Sequence, residues 1–246
     1  MIKTIVVGAL GRMGQKVITA IDKSDDFELA CAVNPNSSGK DNCLQNLDNF
    51  TSEADCLIDF SFHTSAPQVS DFIKTKKIPA VIATTGHDEA ETKAIQEASE
   101  YAPVFFAGNM SVGVGLTSKL AAQVATMFPD ADCEIVETHH NQKVDAPSGT
   151  ALMIANDIKK ARNKGNFVCG RSGMNKRNQG EIGISAVRLG NIVGQHSIIF
   201  DTGTEQIEIK HTSHDRALFA DGALFAARFL MNKEAKLYGM DDLLCE

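Results

Sequence analysis

A chain of 246 residues with 43% hydrophobic and 22% charged side chains has an ordinary globular composition, enough for one large domain or two small ones. A net charge of −7 without basic runs argues against a nucleic-acid partner, and no apolar run approaches the roughly 20 residues that span a bilayer. Cys31, Cys43, Cys56, Cys133, Cys169 and Cys245 show no CxxC pairing, so free thiols in a reducing, cytoplasmic setting are expected. Met1 leads into a strand-like segment within a few residues, which leaves no room for a signal peptide. The small clusters Lys159-Lys160 and Lys176-Arg177 are expected on solvated faces.

Residues 2–7, IKTIVV, read as a strand running into GALGRMG, with a helical pattern through Val17, Ile18 and Ile21. Strand, glycine turn and helix together form the context of a dinucleotide fingerprint. Gly8 suits the tight turn, Gly11 close approach of a pyrophosphate, and Gly14 helix–strand packing. Leu10 stands where a second glycine is usual, which weakens the match. A second strand, FELACAV, ends at Asn34 rather than at the acid that binds an adenosine ribose. Without that carboxylate a 2′-phosphate is not repelled, Arg12 and Lys40 are candidate partners for it, and the choice between NADH and NADPH stays open.

Alternation continues with strands at 55–60, 78–83 and 104–107 and helices at 65–74 and 88–100. This order predicts a Rossmann-type, doubly wound parallel sheet with ligands at the carboxyl ends of its strands. Ser61, Thr84, Thr85 and Asn109 at those ends are expected to line the nicotinamide side. A helix over 111–127 leaves this unit. Strands at 182–188, 197–201 and 206–211 then suggest a second, α+β unit on a mixed, largely antiparallel sheet. Residues 171–181 read as a loop, and the apolar helix at 216–231 is expected to pack back on the first unit. Residues 1–110 with 217–246 would form one domain and 111–216 the other.

The chemistry is concentrated in EIVETHHNQKVDAPSGTA, residues 134–151. Glu134 to Glu137 read as a strand with apolar residues beside exposed acids, and Ser148 can cap the helix that begins near Ala151. Between them lie two imidazoles, a lysine and a turn ending at a helix N-terminus, whose unpaired N–H groups attract anions. Such a loop can hold a small acid and move a proton on it. Asp145, before Ala-Pro, is expected to shape the turn rather than to react.

This motif resembles the signature of the dihydrodipicolinate reductases (4-hydroxy-tetrahydrodipicolinate reductases) of bacterial lysine and diaminopimelate synthesis. The likeness extends to GALGRMG, DFS at 59–61, ATTG at 83–86, GNMSVGV at 108–114 and AVRLGNIVGQHSI at 186–198. It implies a dinucleotide-binding domain plus a mixed-sheet domain that binds substrate and tetramerises through its sheet. It also implies NADH or NADPH as cofactor and hydride transfer to a cyclic imine dicarboxylate. By the same resemblance His139 is the general acid, Lys143 binds substrate or supplies a proton, and His140, Gly149 and Thr150 contact substrate. On the cofactor side it selects Gly8, Ala9, Leu10, Gly11, Arg12 and Met13, then Asn34. It adds Ala83, Thr84 and Thr85, and Ala107, Gly108, Asn109 and Met110. Ala83 departs from a common glycine, a change of one methyl.

His139-His140 with His211 and His214 do not make a metal site, because the pair is adjacent and lacks a completing Cys or carboxylate. An NAD(P)-sensing regulator would be expected to lose the proton donor or the anion site. Another Rossmann dehydrogenase of an amino or oxo acid would not need His-His-x-x-Lys before Pro-Ser-Gly-Thr.

Overall fold

The computed structural model describes residues 1–38 and 43–245, which divide into two compact units. Unit 1 comprises Met1–Ser111 and Arg216–Glu246, and unit 2 comprises Val112–Asp215.

In unit 1, β1 (Ile2–Val7) leads through the glycine turn into α1 (Arg12–Asp22), and β2 (Phe27–Val33) returns beside β1 in parallel. β3 is a two-residue edge, Cys43–Leu44, and β4 (Cys56–Asp59) pairs on the other side of β1. There follow α2 (Ala66–Lys76), β5 (Ala80–Ile82), α3 (Glu89–Ala98) and β6 (Val104–Phe106). Asp88 and Glu91 close a reciprocal capping box on α3, so its start is set locally. The apolar strands bury Ile5, Leu57, Ile82 and Val104 completely, as a sheet covered on both faces requires.

Unit 2 opens with α4 (Val112–Met127) and β7 (Asp132–His139), followed by α5 (Gly149–Arg162) and β8 (Asn166–Cys169). Its sheet is completed by β9 (Glu181–Arg188), β10 (Gly194–Asp201) and β11 (Gln206–Ser213), in the order β11-β10-β7-β9-β8. The sheet is mixed: β10 pairs antiparallel with β7 and β11, whereas β9 pairs parallel with β7 and β8. Antiparallel ladders are thus half of it, fewer than the sequence suggests, because the α5 crossover returns the chain parallel to β7. Ile135, Ile154, Ile158, Ile184 and Phe200 form the core under α4 and α5.

The chain then re-enters unit 1 as α6 (Ala217–Leu230), β12 (Leu237–Tyr238) and α7 (Met240–Leu243). α6 packs against α1 and the sheet, burying Ala220, Ala223, Ala227 and Leu230. Gly222 is needed there, since a Cβ would lie 1.8 Å from the Met110 carbonyl oxygen. With β12 added, the parallel sheet runs β12-β6-β5-β4-β1-β2-β3. No helix among the described residues is long and apolar enough to cross a membrane.

Candidate active site

In unit 1, Gly8 ends β1 with φ +79°, and a Cβ there would lie 2.6 Å from the Phe60 carbonyl oxygen. A Cβ on Gly14 would lie 2.2 Å from the Gly8 carbonyl oxygen, so both positions demand glycine. Gly11 caps α1 without a side-chain acceptor, and Gln15 pins the turn by donating to the Ala9 carbonyl at 2.6 Å. The first-turn N–H groups of α1 therefore keep their attraction for an anion.

Beside this turn lies a cavity of about 570 Å³ lined by Gly8, Leu10, Gly11, Arg12, Met13, Asn34, Phe60, Ser61 and their neighbours. Among the described residues its lining carries one cation, Arg12, and no carboxylate. A glycine cradle at a helix start, with the Arg12 guanidinium and the Asn34 amide in the cavity lining, fits a dinucleotide phosphate. Ala9 and Met110 are buried, so their side chains pack rather than line the cavity. Thr84 is buried with its hydroxyl 2.9 Å from His87 Nε2, and the Asn109 side chain accepts from Ser111 N–H at 2.9 Å. Ala83 and Thr85 follow β5, and Ala107 and Gly108 follow β6, at the carboxyl edge of the sheet. Lys40 lies outside the described residues.

In unit 2 the odd-numbered residues of β7 point inward, so Glu137 and His139 share the face of Cys133 and Ile135. Glu137 is completely buried, which corrects its reading as an exposed acid. Its carboxylate is saturated: Arg188 donates to both oxygens at 2.8 Å, Ser148 N–H donates to Oε1 at 3.0 Å, and His139 Nδ1 lies 2.6 Å from Oε2. Burial works against its charge, but Arg188, His139 and Ser148 together hold the carboxyl below the ordinary glutamate range. A carboxylate only accepts, so His139 donates from Nδ1 and presents Nε2. Burial lowers the His139 pKa, with Glu137 opposing and Lys143 and Arg188 assisting.

His196 stacks edge-on against His139 at 5.3 Å, and its Nε2 lies 3.3 Å from Ser148 Oγ. The same hydroxyl accepts from Ala151 N–H at 3.2 Å, which makes Ser148 the cap of α5. Burial, reinforced by His139, pushes the His196 pKa down to about 4. A Cβ on Gly194 would lie 3.1 Å from His139 Nε2, so glycine leaves that nitrogen its space. In the loop, Lys143 Nζ lies 2.8 Å from Asp145 Oδ1, and the carbonyl of Asp145 accepts from Arg188 at 2.6 Å. Unit 2 thus brings His139, Lys143 and Gly149 to one end of β7 and the start of α5, with His140 half-buried beside them and Thr150 in the first turn.

Glu137, Arg188 and His196 were not anticipated from the sequence. The signal for Glu137 was available, since residues two apart on a strand share a face. Arg177 also departs from expectation, being half-buried and paired with Asp132 and Glu134 rather than solvated.

A parallel sheet with a phosphate-accepting glycine turn, joined to a unit carrying an oriented imidazole at a helix start, defines a nicotinamide-dependent oxidoreductase. Residues 2–110 match the family model for the N-terminus of dihydrodipicolinate reductase and residues 113–244 that for its C-terminus. The chain belongs to the dihydrodipicolinate reductase family. It is 42% identical over 247 residues to the 4-hydroxy-tetrahydrodipicolinate reductase of Caldanaerobacter subterraneus subsp. tengcongensis, covering 99% of this chain and 98% of the relative. It is 40% identical to that of Clostridium tetani over 249 residues, covering 99% and 97%. Among solved structures, the dipicolinate-bound dihydrodipicolinate reductase from Paenisporosarcina sp. TG-14 superposes with a TM-score of 0.85 at 25% identity, covering 98% of this chain and 99% of that one.

Proposed function

We propose that the protein reduces 4-hydroxy-tetrahydrodipicolinate, a cyclic imine dicarboxylate, to tetrahydrodipicolinate with NADH or NADPH, in lysine and diaminopimelate synthesis. The observation that carries this reading is the convergence of His139, Lys143 and the α5 N-terminus, a proton donor beside two anion-binding elements. In this reading unit 1 holds the cofactor through Gly8 to Met13 and Asn34, with the backbone at 83–85 and 107–110. Unit 2 holds the substrate and joins subunits in a cytoplasmic homotetramer.

The cofactor, when bound, supplies the hydride. Lys143 and the Gly149 N–H pair with a substrate carboxylate, and the Thr150 hydroxyl and His140 contact the same dianion. The 4-hydroxyl leaves as water together with a proton from the neighbouring ring carbon, and the conjugated imine so formed takes the hydride and one proton at carbon. His139 provides that proton from Nε2 and takes a replacement from solvent between turnovers. The two carboxylates favour the protonated imidazole on arrival, which compensates for its burial.

The test is oxidation of NADH and NADPH, followed at the nicotinamide absorbance, with imine made in situ by the preceding synthase. Turnover that requires the synthase product supports the function and gives the cofactor ratio. Cofactor binding without turnover rejects it.

A further inference from the structure

Resting on the assignment of His139 as proton donor, we propose that Glu137 is the positioning residue of the reaction. Its buried carboxylate fixes which imidazole nitrogen faces the substrate and ties that choice to the start of α5.

Four groups fix the geometry. Glu137 Oε2 takes the His139 Nδ1 proton at 2.6 Å, and Oε1 takes the Ser148 N–H at 3.0 Å. Ser148 is the residue that caps α5, so one carboxylate bridges the imidazole and the turn immediately before Gly149 and Thr150. Arg188, from the parallel neighbour β9, clamps both oxygens at 2.8 Å and prevents the carboxylate from rotating. It reaches onward to the Asp145 carbonyl at 2.6 Å, fixing the loop that carries Lys143. A solvated acid could not do this. Glu137 is fully buried, and every hydrogen bond it accepts comes from an element of the site.

Two consequences follow for the imidazole. With Nδ1–H committed, the neutral ring exists as the Nδ1–H tautomer, leaving Nε2 to take a proton from solvent and pass it to substrate. The negative charge beside Nδ1 also favours the imidazolium against burial and against the cationic groups of the surroundings, Lys143 in the loop and Arg188 on β9, while His196 on β10 faces the ring as a neutral imidazole. Glu137 touches neither substrate nor cofactor in this scheme and acts through His139.

The tautomer is read directly by nitrogen NMR of the full chain labelled with ¹⁵N-histidine, with His139→Gln identifying the resonance. A His139 signal of the Nδ1–H tautomer supports the proposal, and the Nε2–H tautomer overturns it without recourse to any Glu137 variant. Glu137→Gln tests the charge. We expect kcat to fall about 100-fold, within the range that acid–base groups contribute, with the substrate KM changed less than about threefold. The His139 titration should move to lower pH in the same variant. An unchanged kcat with an unmoved titration overturns the proposal. If His139→Gln itself retains full kcat, the proton-donor assignment fails, an outcome separate from the tautomer of the ring.

Discussion

Lys143 and Asp145, two residues apart in one loop, face each other across 2.8 Å. The ammonium proposed to bind a substrate carboxylate is therefore engaged by a carboxylate of the chain itself. The Lys143 ammonium, first among several contacts, holds Asp145 below the ordinary aspartate range.

Removing that internal competitor should tighten substrate binding. Asp145→Asn is expected to lower the substrate KM by at most about fivefold, since a part-exposed ion pair is worth about 0–1 kcal/mol. Lys143→Ala should raise KM and lower kcat together. Steady-state kinetics of both variants decide this, and a raised KM in Asp145→Asn would mean that Asp145 organises the loop instead.

Activity should carry the signature of a depressed imidazole. In the proposed mechanism His139 reacts as the cation, and burial holds its pKa in the free enzyme below the usual value of about 6.5. kcat/KM should therefore decline as pH rises through a pKa below about 6.5, because the protonated fraction shrinks. A pH profile of kcat/KM checks the sign, and a limb that rises with pH would assign His139 to base catalysis.

The cavity proposed to hold the cofactor contains Arg12 and, among the described residues, no acid in its lining. Asn34→Asp places a charge where a 2′-phosphate would lie. The NADPH/NADH ratio of kcat/KM should fall by at least about tenfold, the effect of about 1.4 kcal/mol of repulsion. An unaltered ratio would place the ribose elsewhere.

His196 makes a statement about stability. Its folded pKa of about 4 lies below the ordinary value, so the unfolded chain takes up the proton first. Stability from this group is intact above about pH 6.5 and is lost as pH falls toward 4, by roughly 3 kcal/mol. Chemical denaturation at several pH values should show that slope, and His196→Gln should flatten it. An identical slope in the variant would assign the acid lability to other groups.

Local signals were legible in the sequence because their causes lie within a few residues. The β1 turn and α1 follow from Gly8 and Gly14, and the start of α5 follows from Ser148. The short strands β3, β8 and β12 were not read, since two to four residues are too few to carry a periodicity. The support of His139 was hidden for a different reason. Glu137 becomes an interior anion only when Arg188, 51 positions later, is brought beside it by the parallel β7–β9 pairing. That pairing depends on a crossover through α5 which no local pattern specifies.

Unit 1 is assembled from two separated stretches of chain, and α6 supplies much of the apolar cover for its sheet. During synthesis the first 111 residues therefore wait, with part of a hydrophobic surface uncovered, until the segment beyond Arg216 has emerged. An N-terminal fragment ending at Ser111 would lack α6 and β12 and should be recovered as aggregate or bound to chaperones. The complete unit is therefore available only late in translation, after the whole of unit 2 has been made.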